Sequence, residues 1–286
     1  MMKFIPHINP YHYNSLMKKC REFFEAQGLI ECSLNNRITI LAACESPETV
    51  VSFEYLGKSW SLQQTTQMLL EEQLLLEGES CKNGFYNIST SYRNEQNPIE
   101  GRHCLIFPMA ELELLTDMDG MVEFQKNLLE HLGFGPKASY VEVNYVDMCE
   151  KYGVTELTHE HEGLMGKEYG NVVFLKYFPS EESFWNMARC QNPKFCKKVD
   201  VLLGSSSIKM METIGSAERS VDVKQMRESF ETISDGKYAG LLYEKFGKDR
   251  VDQEMDEYLS YKMFQRSGMG IGITRLMDVM ISLNLL

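Results

Sequence analysis

The run Gly268-Met-Gly-Ile-Gly-Ile-Thr-Arg275 alternates glycine with large apolar residues and then presents an arginine. Glycine at every second position leaves one face of a strand without side chains, so a neighbour or a flat ligand can approach closely. Arg275 stands where the spacing turns helical through Leu276, Val279, Met280 and Leu283. Its rigid fork of donors suits a polyanion such as a phosphate. A dinucleotide fingerprint does not fit, because its third glycine would fall at 273, which is Ile. A P-loop does not fit either, for want of Gly-Lys-Ser/Thr before the helix. A glycine-rich strand that simply packs before a core helix accounts for the same residues.

A second constellation lies between residues 92 and 113. Tyr92-Arg93-Asn94-Glu95 is followed by a polar loop, by His103-Cys-Leu-Ile-Phe107, and by Pro108-Met-Ala-Glu111-Leu-Glu113. Arg93 and Glu95 alternate in register, as do Glu111 and Glu113, so each pair faces one side of a sheet. A buried sheet face bearing an arginine and several carboxylates is costly unless those groups pair with one another or hold a ligand.

The elements that must position these residues follow from periodicity. Tyr13, Leu16, Met17, Cys20, Phe23 and Phe24 mark an amphipathic helix closed by Gly28. Strands are expected over 37–44 and 50–62, the second a hairpin turning at Gly57-Lys58. A helix follows over 65–77, then strands over 85–93 and 104–115 and a helix over 119–133. The stretch 153–170 is polar and turn-rich and reads as an excursion, with His159-Glu-His161 in a solvated loop. Strands resume over 171–178, 199–204 and 208–215, followed by helices over 222–233 and 238–247. Hairpin-linked strands with helices collected between them define an α+β fold, an antiparallel β-sheet flanked by helices.

With 286 residues, 43% hydrophobic and 24% charged, the chain has the size and composition of one large globular domain. Its net charge of −12 argues against broad electrostatic binding to nucleic acid. No apolar run approaches the ~18 residues of a membrane helix, and the N-terminus lacks the apolar stretch of a signal peptide. The eight cysteines form no Cys-x-x-Cys pair, and Cys44, Cys104 and Cys149 lie in apolar stretches. Buried free thiols in a reducing cytoplasm are therefore expected.

Taken together, these residues resemble class II aminoacyl-tRNA synthetases. Arg93-x-Glu95, a loop, Arg102-His103 and Phe107 are similar to motif 2 of that family, and the Gly-x-Gly-x-Gly-x-x-Arg run is similar to motif 3. Val199-Asp-Val-Leu-Leu203 with Glu212-Thr-Ile-Gly-Ser-Ala-Glu-Arg219 resembles the strand pair of the aspartyl and asparaginyl subgroup. Ala43-Cys-Glu45-Ser-Pro-Glu48 is similar to the mobile loop over the amino-acid pocket of asparaginyl enzymes. The resemblance runs over residues 11–280. Motif 1 is weak, with its proline position near Asn35; Arg266 stands near the place of a pocket histidine, and Ile106 replaces a glutamate.

The resemblance implies that ATP lies bent across the sheet. Arg93 would hold the α-phosphate and the substrate carboxylate, and Arg275 would clamp the γ-phosphate. Glu95 would accept from the adenine amino group, Phe107 would stack on the ring, and Arg102 or His103 would reach the outer phosphates. Asp200 and Glu212 would be the ligands of Mg²⁺. For the amino acid, the resemblance implies Thr65 and Gln67 at the α-amino and α-carboxylate groups, Glu111 near the amino group, Arg219 at the side chain and Glu45 on the covering loop. Leu70 stands where aspartyl enzymes place a lysine and asparaginyl enzymes an aliphatic residue, with Glu71 also fitting the latter, so the pocket leans to asparagine or a similar polar amino acid.

The expectation is one synthetase-like catalytic domain over 1–286, with an insertion near 153–170 and no anticodon-binding domain. It is expected to be a cytoplasmic homodimer with at most weak tRNA binding. The expected activity is an AMP-forming ligase passing an activated asparagine- or aspartate-like amino acid to a non-standard acceptor. Two alternatives stand beside it: an asparagine synthetase, acting on aspartate and ammonia through a β-aspartyl-adenylate as relatives of archaeal type do, and a non-catalytic paralogue with a regulatory binding role.

Overall fold

Period-two patterning builds one large sheet in the computed structural model, which describes residues 4–34, 38–41, 47–101, 103–182 and 184–286. Helix α1 (Pro10–Ala26) and strand β1 (Ile30–Glu31) open the chain, then a separate hairpin of β2 (Val51–Tyr55) and β3 (Lys58–Leu62). Helix α2 (Gln67–Glu77) leads to β4 (Gly84–Tyr92), β5 (Ile106–Leu114) and α3 (Met118–Leu132). Next come β6 (Val141–Asn144), α4 (Tyr145–Tyr152), α5 (His159–Tyr169), β7 (Val172–Pro179), β8 (Phe195–Leu203) and β9 (Met211–Glu218). Three helices, α6 (Val223–Thr232), α7 (Lys237–Phe246) and α8 (Lys248–Ser260), precede β10 (Ser267–Gly272) and α9 (Ile273–Ser282).

The strand order is β1-β4-β5-β10-β9-β8-β7-β6. Pairing is antiparallel from β4 to β7 and parallel at the two edges, β1 with β4 and β6 with β7. Ala110 and Leu112 of β5, Met269 and Ile271 of β10, Ile214 of β9 and Val199 and Val201 of β8 share one face. Helices α1, α3 and α9 cover it with Leu16, Phe24, Met121, Leu128, Leu276 and Met280. The alternate residues of the same strands, glycines and carboxylates among them, point the other way. There α2 and α6–α8 build a second core around Trp185, whose ring meets Phe230 and Tyr258 edge-on at 5.9 and 5.4 Å. No helix among the described residues is long and apolar enough to cross a membrane.

Several expectations shift. The hairpin turns on Leu56-Gly57, one residue earlier than expected, with φ of 53° and 71°. Positive φ at both central residues gives the turn the twist of its strands, and Gly57 adopts it without strain. Residues 38–41 are not a strand: Ile40 and Leu41 drop into the second core, and Thr39 bonds Glu254 through its hydroxyl at 2.7 Å. The stretch 153–170 contains helix α5, capped by Thr158, with His161 in its first turn reaching back to the cap and Met165 wholly buried. A capping box thus replaces the loop expected at His159 and His161. Strand β6 and helices α4 and α8 were not expected at all.

Leu70 also moves out of the site. It is wholly buried in a cluster with Leu74, Cys81 and Phe85, on the face of α2 away from the sheet's glycines. Its neighbour Glu71 takes the sheet-facing position instead, since successive helical residues point about 100° apart. Leu70→Ala should therefore lower the unfolding free energy by about 2–5 kcal/mol in urea denaturation. Leu70→Lys should destabilise the fold without changing amino-acid preference; a changed preference in a stably folded variant would return Leu70 to the pocket.

Candidate active site

Above the glycine face lies a cavity of about 620 Å³. Its floor includes positions without side chains, Gly270 and Gly272 of β10 with Gly215 of β9. Strand register orders the walls around it. Gly272 pairs with Met109, and Arg275 follows it in the first turn of α9, while Gly268 pairs with Glu113 and Ala217. One end is thus built from Phe107, Met109, Thr213 and Arg275, and the other from Gln67, Glu113 and Arg219. The space above each glycine is used: a Cβ on Gly270 would stand 3.0 Å from the Gln67 amide and the Met109 methyl, and one on Gly268 would overlap Glu113 and Arg219.

At the Arg275 end one guanidinium nitrogen is left without a partner. Arg93 leaves β4 just past Tyr92, with its backbone N–H held by the Leu105 carbonyl at 2.8 Å. Its guanidinium lies 5.3 Å from the centre of the Phe107 ring, and its Nε is buried without a partner. Glu95 and His103 line the same wall, His103 accepting from the Ile99 N–H at 3.2 Å. Arg275 donates to the Glu212 carbonyl at 2.6 Å, which ties the start of α9 to β9.

Two carboxylates converge over Gly215. The position a Cβ would take there is 2.7 Å from Glu212 Oε1 and 3.7 Å from Asp200 Oδ1. Asp200 Oδ1 is buried and unpaired, while Oδ2 accepts from Lys198 at 2.9 Å. Burial pushes the Asp200 carboxyl up, Lys198 pulls it down and Glu212 pushes it up again. Two hard oxygen donors, one with an open lone pair, fit Mg²⁺, which takes one or two carboxylates and completes its shell with water and phosphate. Asp200 and Glu212 would hold it, and bound there it would supply positive charge to a polyphosphate.

At the opposite end each buried charge has an opposite partner, with Glu113 Oε2 left open. Arg266, wholly buried, donates to Glu71 Oε1 at 3.0 and 2.5 Å, to the Phe264 carbonyl at 2.9 Å and to the Tyr258 hydroxyl at 3.0 Å. Glu71 also accepts from Tyr258 and, at 2.8 Å, from the Asn186 amide. Arg219 donates to Glu113 Oε1 through Nε at 3.1 Å and through Nη2, and to Gln67 Oε1 at 2.7 Å. Against burial, which disfavours charge, Glu113 and Glu71 keep Arg219 firmly protonated. Burial pushes Glu113 up, and Arg219 pulls it back. The two arginines and two glutamates sum to zero charge.

The structure therefore brings Gln67, Arg93, Glu95, His103, Phe107, Glu212, Arg219 and Arg275 to one cavity. Asp200 is buried beside the lining residue Gly215, with Oδ1 3.7 Å from where a Cβ there would stand. Thr65 and Glu111 meet each other behind the wall, not in it: Glu111 is wholly buried and accepts from the hydroxyls of Thr65, Thr66 and Ser89 and from the Thr66 N–H. Glu45 and Arg102 lie outside the described residues, as does the motif 1 position near Asn35. Sequence reasoning passed over Lys198, and it did not place Glu71, Glu113 or Arg266 among the ligand-binding residues. Lys198-x-Asp200 and Gln67-x-x-x-Glu71 carry the strand and helix spacings that put each pair on one face.

An antiparallel sheet with a glycine-floored cavity between two arginines and a carboxylate pair defines the class II synthetase catalytic fold. The family described as tRNA synthetases class II (D, K and N) matches residues 12–285, and the chain belongs to it. It is 25% identical over 282 residues to the cytoplasmic asparagine–tRNA ligase of Dictyostelium discoideum, covering 83% of this chain and 39% of that protein. The cytoplasmic asparagine–tRNA ligase of Mus musculus is 24% identical over 253 residues, covering 76% of this chain and 43% of that protein. The chain thus spans about two fifths of the length of these curated relatives. The crystal structure of asparaginyl-tRNA synthetase from Pyrococcus horikoshii, complexed with asparaginyl-adenylate, superposes with a TM-score of 0.75 at 18% identity. That match covers 96% of this chain and 65% of that one and shows the shared fold.

The paired end makes a stability prediction. Arg266→Met leaves Glu71 buried without its main cation and should cost about 3–5 kcal/mol in urea denaturation. Adding Glu71→Gln to it should recover part of that loss, because both charges then leave together; additive losses in the double variant would show that the two residues do not act as a pair.

Proposed function

We propose that the cavity forms an acyl-adenylate from ATP and a small polar amino acid, asparagine before aspartate, in an AMP-forming ligase reaction. The observation that carries this reading is the placement of unpaired buried polar atoms. Buried polar groups are nearly always hydrogen-bonded, yet Arg93 Nε at the cavity wall and Asp200 Oδ1 just behind Gly215 of its floor are not. Donor and acceptor left open at the same place suit a ligand that carries phosphate and metal together.

Each residue then has a task. The amino-acid carboxylate oxygen bonds to the α-phosphorus as the bond to pyrophosphate breaks. Arg93 holds both anionic groups together and offsets the charge that builds between them. Arg275, fixed by the Glu212 carbonyl, holds the outer phosphates. Phe107 stacks on the base, and Glu95 accepts from its amino group. Asp200 and Glu212 would hold Mg²⁺, which would supply positive charge to the phosphates. At the other end Gln67 and Arg219 meet the amino acid.

Charge balance supports the choice of asparagine. Arg219 is the cation that reaches the cavity there, and Glu113 already compensates it. A neutral carboxamide adds no charge to this closed end, whereas a carboxylate would compete with Glu113 for Arg219. The same balance disfavours the asparagine synthetase reading, whose substrate is aspartate. The net charge of −12 favours a small or protein acceptor over a polyanionic one for the second half-reaction.

Amino-acid-dependent ATP–pyrophosphate exchange with Mg²⁺ tests the first half-reaction whatever the acceptor. Exchange should be supported by asparagine at least about tenfold better than by aspartate. Arg93→Ala and Arg275→Ala should each lower it roughly 100-fold or more with unchanged circular dichroism. Absence of exchange with all twenty amino acids would refute the adenylate reading.

A further inference from the structure

One cation at the cavity has no task in the reaction just described. Lys198 lies on β8 two residues before Asp200, so both side chains leave the same face of the strand. Its Cα pairs with Ala217 and that of Asp200 with Gly215, so small residues flank both side chains on the neighbouring strand. Lys198 lines it together with Glu212, Arg219 and Arg275. The ammonium stands 2.9 Å from Asp200 Oδ2 and 3.9 Å from the centre of the Phe178 ring, and the side chain is only 19% exposed. A flexible lysine is thus held at mid-cavity on one oxygen of a carboxylate whose other oxygen is open.

We propose that Lys198 is a resident counter-cation of the Asp200–Glu212 pair, which keeps divalent metal off the ligand-free protein and yields Asp200 to it when the nucleotide enters. This inference rests on the adenylate reading for the identity of the nucleotide. Without Lys198 the two carboxylates over Gly215 would present two negative charges to solvent and draw a divalent ion by themselves. With it they present one, and an incoming metal must displace the ammonium. A polyphosphate changes that balance, because it offers the ammonium a new anion at the same place and brings its own oxygens to the metal. Metal and nucleotide then bind together, and neither is held in an unproductive state alone. A lysine serving only to brace the sheet has no reason to oppose metal binding.

The test titrates Mn²⁺ into the ligand-free protein, read by electron paramagnetic resonance of the free ion, for wild type, Lys198→Met and Lys198→Arg. Lys198→Met should bind Mn²⁺ roughly tenfold or more tightly than wild type, since a unit charge beside the site is removed. Lys198→Arg, which keeps the charge, should stay within about twofold of wild type. Lys198→Gln serves as the neutral variant should the methionine variant not fold. In ATP–pyrophosphate exchange, the neutral variant should also need several-fold less Mg²⁺ for half-maximal rate and show a higher KM for ATP. Equal Mn²⁺ affinity in wild type and the neutral variant, or no Mn²⁺ bound by either, overturns the proposal. A Mn²⁺ shift with no exchange in wild type supports the hold of Lys198 on the carboxylate pair while removing the adenylate reading, so the two failures are distinguishable.

Discussion

The whole site depends on a strand that carries no side chains on one face. The ion pair of Arg219, just past the end of β9, and Glu113 of β5 spans β10, which lies between those strands. The two side chains meet only because Gly268 puts nothing between them. The same holds further along the strand, where the Gln67 amide and the Met109 methyl occupy the space that a side chain at Gly270 would need. Met269 and Ile271 meanwhile anchor β10 in the core beneath, so the glycines do not loosen the sheet. Glycine is costly in strands, and here the packing of the alternate residues offsets that cost. The outcome is a rigid trough whose walls, not its floor, carry the chemistry.

Along that trough the electrostatics divide into two regimes. At the Gly268 end every buried charge has an opposite partner, and the guanidinium of Arg266 is satisfied by carboxylate, hydroxyl and backbone carbonyl together. Such an end is stiff and close to neutral, and it selects by shape and hydrogen bonding more than by charge. At the Gly272 end Arg275 is held by the Glu212 backbone carbonyl and not by a carboxylate, and Arg93 Nε is left open. A site that must admit and release a highly charged ligand benefits from that difference. Pairing all of its groups internally would set the protein's own ion pairs against each new phosphate contact.

Much of this was legible in the sequence where chemistry and periodicity coincide. The glycine alternation of 268–272, the turn to helical spacing at Arg275 and the strand pair carrying Arg93 and Glu113 all appear near the expected boundaries. Leu70 was misread because a position in a motif does not say which face of a helix it occupies; α2 turns Gln67 and Glu71 toward the sheet and leaves Leu70 with Leu74 and Phe85. Helix α8 has its apolar stripe in Val251, Met255, Tyr258 and Leu259, but charged residues crowd the positions between them. Residues 38–41 alternate like a strand, yet their burial comes from docking against α6–α8. The Glu71–Arg266 pair joins residues 195 apart in the chain, and nothing in local patterning announces such a contact.

Arg266 shows how a buried guanidinium behind the cavity is accommodated by the fold. It needs a carboxylate, room and backbone acceptors, and the structure supplies all three from separate elements. Glu71 comes from α2, Tyr258 from α8, and the Phe264 and Ser220 carbonyls from the segments before β10 and after β9. By drawing Glu71 to itself, Arg266 leaves Arg219 to Glu113 and Gln67, with the Glu71 carboxylate no closer than 3.7 Å. The arrangement of the cavity-facing arginine is therefore set from behind the cavity wall. A change at a residue that touches no ligand can then alter what the pocket accepts, through the charge it leaves on Glu71 and the orientation it imposes on Arg219.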